Sequence, residues 1–354
     1  MQRQLIRGAA CNRVNDTDAV VQRPIFLRAE WFSLLDRYVR NSDGMTRTMC
    51  LHDSTHTGAY LPVYEERSGG GRELHSLSNF YSPSFQLLGD RVLNAADHLA
   101  FVQKFKRYFA CFDHVDLVPL LGDEARYWRD AFQKIGFRGF IYDYSSNWYH
   151  DGITGLDAFW QVRPTRLRNT IRKKADKLYK QDGFIVDVVN PTSKLDLWRY
   201  LAHYHQVYFS SWKCAEPFPA FIDAIAEYAW STGELRVGMA YHDDTPIASQ
   251  IWFVCAKTAY IFKLAYRPEY SRHSVGTILS KKLFDHVIEK DGVTCIDYLT
   301  GNDPYKADWM NKCRKLYGIQ LCNPRRIRGG VSVLQNTASR WSKRFWDGSI
   351  LKSS

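Results

Sequence analysis

The sequence contains no C-x-x-C pair, no apolar run of bilayer length and no low-complexity tract. Each absence excludes something. Eight cysteines scattered over 354 residues offer neither a disulfide framework nor a zinc knuckle, and read as reduced, mostly buried thiols. The richest apolar stretch, residues 251–266, is interrupted by Lys257 and Lys263, well short of the ~18 apolar residues of a membrane span. The N-terminus is basic but lacks an apolar core, so a signal peptide is not expected and the expected location is cytoplasmic. His203 and His205 stand two apart and point to different faces of a helix, while His52 and His56 flank a turn. No metal is expected.

Apolar residues make up 45% of the chain and aromatics 15%, enough for a real core, and the length implies roughly two domains. The net charge of +11 is concentrated: residues 163–180 hold eight basic side chains and one acid, and residues 324–354 hold seven and one. Elsewhere the chain is slightly acidic. The first segment predicts an amphipathic helix, with Leu167, Ile171, Ala175 and Leu178 on one stripe and Arg166, Arg172, Lys173, Lys174 and Lys177 around it. The tail repeats the pattern with Val331, Leu334, Ala338, Trp341 and Phe345. Such faces attract phosphate, as nucleic acid, anionic lipid or a phosphorylated substrate, and are equally the solvated faces of an ordinary basic enzyme.

Residues 1–24 lack periodicity and form a loose leader. A first domain, 25–156, has helices at 29–40, 95–111 and 123–135 and strands at 45–53, 59–66, 115–120 and 139–144. A basic linker helix, 157–185, leads to a second domain, 186–323, and 324–354 is a basic amphipathic tail. The second domain opens with helices at 195–211 and 218–231. A three-strand meander follows (235–241, 247–255, 258–266), its turns short enough to force antiparallel neighbours. Then come a helix from Gly276, a strand at 294–299, a short helix carrying Tyr305, Lys306 and Trp309, and a strand at 318–322. A strand–helix–strand crossover lays its two strands parallel. It puts the N-terminus of the Gly276 helix at the carboxyl end of strand 258–266, where free N–H groups and the helix dipole favour an anion. The first domain echoes this order. The fold class is therefore α/β (α+β): two similar halves, each a mixed, mostly antiparallel sheet flanked by helices, joined by a long basic helix.

Several motifs carry a resemblance: Pro246-Ile247-Ala248-Ser249-Gln250, residues 260–266 (YIFKLAY), Gly276-Thr277-Ile278-Leu279 and residues 296–310 (IDYLTGNDPYKADWM). On these the chain resembles the GNAT superfamily. Within it, it is similar to the bacterial acetyltransferase-like branch associated with cellulose and exopolysaccharide biosynthesis, itself related to Fem-type aminoacyl transferases. The resemblance covers about residues 157–322. It implies two GNAT-like halves with the second active, and a donor thioester between two splayed parallel strands. The donor's pyrophosphate would lie on Arg272, Ser274, Val275, Gly276 and Thr277. Where the superfamily commonly carries Gln/Arg-x-x-Gly-x-Gly, this chain reads Ser271-Arg272-His273-Ser274-Val275-Gly276 and keeps only the last glycine. Acetyl-CoA or a longer acyl-CoA is one implied donor; aminoacyl-tRNA, which suits the basic helix, is the other.

Acyl transfer needs a base, donors for the developing oxyanion and an acid for the leaving group. Asp297, a carboxylate inside an apolar strand, is either a base or amine-orienting group or a salt-bridged structural residue. Lys263 breaks the neighbouring apolar strand and would pair with Asp297, hold a substrate anion or snorkel to the sheet edge. Tyr305 is the candidate acid and Lys306 a phosphate partner, while Asp303 reads either as a substrate contact or as a helix N-cap. Tyr266 and Thr300 complete the substrate side. Trp309 reads as core. Tyr142, Tyr144, Trp148 and Tyr149 form an aromatic group suited to packing or stacking. The expected function is acyl transfer to an amine or hydroxyl acceptor in polysaccharide, cell-envelope or lipid-linked precursor biosynthesis. The alternatives are a Fem-like aminoacyl-tRNA-dependent transferase and a non-catalytic basic module on anionic membrane or nucleic acid. The 163–180 helix and the 324–354 tail are the expected contacts for tRNA or for peripheral association with the inner membrane face.

Overall fold

The computed structural model describes residues 23–40, 47–52 and 58–350. Most of the expected leader, Cys11, His56 and the ends of the expected strand 45–53 lie outside the described residues. Eleven strands are described: β1 (Arg47–His52), β2 (Tyr60–Ser68), β3 (Gly71–Ser76), β4 (His114–Leu120), β5 (Arg138–Asp151), β6 (Phe184–Val189), β7 (Leu235–His242), β8 (Thr245–Cys255), β9 (Thr258–Tyr266), β10 (Cys295–Thr300) and β11 (Lys312–Cys322). The chain divides into two compact units. Among the described residues, one comprises 35–40, 47–52, 58–145 and 315–350; the other comprises 23–34 and 146–314.

In the first unit β1, β2 and β3 are antiparallel, β3 and β4 are parallel, and β11 closes antiparallel on β4. In the second, β6 to β9 form an antiparallel run, β9 and β10 are parallel, and β5 closes antiparallel on β10. The order is the same twice: a meander, one parallel pair, one antiparallel closing strand. This is the α/β architecture of two similar halves that the element order implies, with mixed, mostly antiparallel sheets flanked by helices.

The second unit shows why these residues fold this way. The turns joining β7 to β8 and β8 to β9 place Asp243, Asp244, Ala256 and Lys257 at positive φ, the left-handed pair that a two-residue hairpin demands. The Val275–Glu289 helix buries Val275, Ile278, Leu279, Leu283, Phe284 and Val287 against the strands, in a core shared with Ile247, Trp252, Ile261, Ile296 and Tyr298. Trp309 is core: its ring stacks on Phe284 at 4.8 Å. The basic Thr165–Leu178 helix joins the same core through Leu167, Ile171 and Leu178.

Some elements differ from expectation. The helix expected at 95–111 is two, Ala95–Lys104 and Lys106–Phe109, and the one expected at 29–40 ends at Leu35 before a π turn. The strand expected at 139–144 runs to Asp151, so the four aromatics lie along one strand rather than in a cluster. β3 and β6 were not anticipated. Of the six cysteines described as free thiols, Cys111, Cys214 and Cys313 are exposed, against the expectation of mostly buried thiols; loop and rim positions outweigh the residue's usual burial. The tail forms the Ile327–Ile350 helix, with Ile327, Val331 and Leu334 exposed. Among the described residues no helix is long and apolar enough to cross a membrane.

Candidate active site

The site begins where two parallel strands part. β10 pairs with β9 over three residues only, Cys295↔Thr258, Ile296↔Ala259 and Asp297↔Tyr260. Two local irregularities follow. In β9 the register against β8 slips between Ile261 and Lys263, leaving Phe262 bulged and turning the later side chains to the other face. In β10 Leu299 adopts φ +55°, costly for a leucine. Asp297 holds that kink. Its Oδ1 accepts from the Leu299 N–H at 2.7 Å and from Asn147 Nδ2 at 2.6 Å, and its Oδ2 lies 3.1 Å from Arg314 Nη2. Burial pushes the Asp297 carboxyl up, against Arg314 and the two hydrogen bonds, which favour its charged form.

Lys306 holds the loop beyond. Its ammonium is 5% exposed and faces the carbonyl oxygens of Tyr298, Thr300 and Gly301 at 3.4, 3.1 and 3.4 Å, with Asp303 at 3.4 Å. Burial lowers its pKa and Asp303 opposes the shift. The short Lys306–Trp309 helix starts without a side-chain cap, so Asp303 pairs with Lys306 instead of capping. The expected Lys263–Asp297 pair is not formed. The strand register sets Tyr260 opposite Asp297, about 10 Å along the strand from Lys263, and Lys263 reaches Glu216 at 2.6 Å.

At one end of the gap lies the Val275–Glu289 helix. Ser274 precedes it at φ +54°, and no side chain caps it, which leaves its first N–H groups without intrahelical partners. Gly276 is closely approached: a Cβ there would sit 3.0 Å from Tyr266 Cδ1, so the ring would have to give by a few tenths of an ångström. Gln250 anchors this turn, donating to the Gly276 carbonyl at 3.2 Å and to Ser280 Oγ at 2.8 Å. Beside it opens a cleft of about 380 Å³ lined by Lys174, Lys177, Leu178, Gln181, Arg272 and His273. Lys174 Nζ donates to the Arg272 carbonyl at 2.7 Å. The cationic field shows in His273: burial first, then Arg272, Lys177, His242 and Lys174, hold its pKa below the ordinary value.

At the other end a second group of polar side chains surrounds Lys213. Burial pushes the Lys213 ammonium down to about 8, Lys263 adds to the push, and Asp303 and Glu216 oppose it. The Lys213 and Lys263 ammonium groups each lie 5.6 Å from the centroid of the Tyr208 ring. Trp212 packs on Tyr266 at 4.4 Å, and Tyr305, 44% exposed, packs edge-on against Tyr298. Burial and Asp303 push the Tyr305 hydroxyl well up. Thr300 Oγ1 is buried without a hydrogen-bond partner.

The structure thus gathers Arg272, Ser274, Val275, Gly276 and Thr277 at one mouth. It gathers Lys263, Glu216, Asp303 and Lys306 around Lys213, sets Tyr305 beside Tyr298 and Asp303, and places Tyr266 between Gly276 and Trp212. It sets Asp297 on the strand face opposite Ile296 and Tyr298, which pack with the Gly276 helix. Sequence reasoning missed Lys213, Glu216, Asn147 and Arg314. Each is an isolated polar residue whose partner is distant in sequence, so no spacing rule reports it.

Residues 165–307 match the family model described as an acetyltransferase (GNAT) domain, and the fold is the GNAT fold. Solved structures share it across most of the chain. FemX superposes with TM-score 0.56 at 8% identity, covering 85% of this chain and 93% of that one. L-PGS from Bacillus licheniformis gives 0.53 at 11%, covering 91% and 98%. The C-terminal DUF2156 domain of a candidate lysylphosphatidylglycerol synthetase from Agrobacterium fabrum gives 0.54 at 13%, covering 89% and 92%. Among curated proteins none matches the sequence.

Proposed function

We propose that the second unit is an acyltransferase that moves an acyl group from an acyl-CoA thioester to an amine or hydroxyl acceptor. The observation that carries this reading is the parting of β9 and β10 beyond Asp297↔Tyr260 beside the uncapped end of the Val275–Glu289 helix. The donor diphosphate lies on the amides of Val275, Gly276 and Thr277, with Arg272, Lys174 and Lys177 supplying charge. The thioester lies in the gap, its carbonyl met by backbone N–H groups that strand pairing no longer uses.

The acceptor enters from the Lys213 side. Neutral Lys213 takes the acceptor's proton as its nitrogen or oxygen attacks the thioester carbon. The new C–N or C–O bond forms, the C–S bond breaks, and the leaving thiolate takes the proton that Lys213 has gained, with the Tyr305 hydroxyl donating a hydrogen bond to the sulfur. Asp297 and Lys306 act as positioning residues that hold β10 away from β9, while the Lys263–Glu216 pair and Thr300 orient the acceptor. Trp212, Tyr266 and Tyr305 present aromatic surface suited to a sugar ring, which favours a saccharide or lipid-linked saccharide acceptor.

The three cationic side chains of the cleft, Lys174, Lys177 and Arg272, support a second reading in which the donor is aminoacyl-tRNA. We propose the basic Thr165–Leu178 helix and the basic tail 324–354 as its contacts, or as contacts for an anionic membrane surface. Calorimetric titration separates the donors. Saturable CoA binding lost in Arg272→Glu supports the thioester reading. CoA silence together with salt-dependent tRNA binding, lost in Lys174→Glu with Lys177→Glu, replaces it with the second. Silence to both removes the transferase reading.

A further inference from the structure

The parallel pair of the first unit carries polar side chains where the second unit carries Tyr260 and Asp297. β3 and β4 pair with Glu73 opposite His114 and His75 opposite Asp116. Residues two apart on neighbouring strands share one face, so two carboxylates and two imidazoles converge there. Ligand atoms of Glu73, His75 and Asp116 all lie within 4.8 Å of one another. His75 Nε2 stands 3.4 Å from Glu73 Oε2 and 3.8 Å from Glu66 Oε2, and it is buried without a hydrogen-bond partner.

The His75 ring is held in place by stacking on Tyr64 at 5.0 Å, with the Arg40 guanidinium on the Tyr64 ring at 3.7 Å. His114 stands behind Glu73 at 3.9 Å, its other ring nitrogen 2.8 Å from Ser332 Oγ. In the second unit the matching carboxylate, Asp297, is met by the Arg314 guanidinium instead.

We infer that Glu73, His75 and Asp116 form a binding site for a divalent first-row transition metal, with Glu66 and His114 supporting it. One imidazole and two carboxylates are borderline-hard donors, suited to Zn2+, Co2+ or Mn2+ rather than to a thiolate-seeking ion. The ion would pin β3 to β4 at the start of their parallel pairing. The test uses the full chain, stripped with chelator and titrated with Zn2+ and, separately, Co2+. The site predicts one saturable ion per chain, affinity at least ~10-fold weaker in His75→Gln and in Asp116→Asn, and Co2+ d–d absorption without a thiolate charge-transfer band. Absence of saturable binding, unchanged affinity in both folded variants, or a thiolate band in the wild-type Co2+ spectrum each overturns it. The spectrum uses only wild-type protein, so the inference stays testable if a variant fails to fold.

Discussion

The Asp297 latch makes the most exacting stability prediction. Asp297→Ala leaves the Leu299 N–H and Asn147 Nδ2 without the acceptor they reach at 2.7 and 2.6 Å. An unsatisfied buried donor costs ~1–3 kcal/mol. The leucine at φ +55° also loses the bond that holds it. The expected loss for alanine is therefore ~3–5 kcal/mol, a large share of a domain's ~5–15 kcal/mol. Asp297→Asn keeps the Oδ1 acceptor and loses only the contact to Arg314, whose side chain is 44% exposed and rehydrates; its cost is at most ~1 kcal/mol. Urea unfolding followed by circular dichroism reads both as shifts in midpoint. The pH dependence has a definite sign. The Asp297 pKa is raised in the folded chain, so the stability it confers is present at low pH and lost as pH rises through the folded value. Asp297→Asn flattens that fall. Equal costs for asparagine and alanine, or an alanine cost under ~1 kcal/mol, would refute the latch.

Three further predictions follow from the two ends of the gap. Binding of an anionic donor removes the cationic field on His273, so its pKa, held low by Arg272, Lys177 and Lys174, rises on adding CoA; histidine NMR titration checks this, and no shift at saturation contradicts it. With Lys213 near 8, its neutral fraction grows roughly tenfold from pH 7 to 9. The thiol-release rate with an amine acceptor follows the same rise in wild-type protein and loses it in Lys213→Met. Gly276→Ala sets a Cβ 3.0 Å from the Tyr266 ring, which Trp212 backs. CoA affinity is expected to fall ~10-fold while stability changes by under ~1 kcal/mol, because alanine recovers helix propensity; unchanged affinity in calorimetry counts against the crowding argument.

Much of the second unit was legible because its signals are local. Alternating apolar residues with two-residue turns specify the β7–β9 meander, and the spacing of Ile278, Leu279, Leu283 and Val287 specifies the helix. The parallel pairing of β9 with β10 follows from the crossover rule. What was not legible depends on contacts between distant residues. Lys263 looked free to meet Asp297, yet the bulge at Phe262 and the nearness of Glu216 send it elsewhere. Arg314 and Asn147 reach Asp297 from strand positions outside the expected 139–144 and 318–322, where no local pattern announced them. β6 was hidden because Phe184–Val189 is a short edge strand adjoining a basic helix. The convergence of Glu73, His75 and Asp116 depends on a parallel register between strands separated by two helices, which no local rule supplies.

The central claim concerns what fills the space between β9 and β10. A crystal grown with CoA tests it directly. The account predicts density for the pantetheine arm running between Phe262–Tyr266 and Tyr298–Thr300, with the diphosphate on the amides of Val275 to Thr277. Strands closed against each other along that length, or a nucleotide bound elsewhere with the helix end bare, would contradict it.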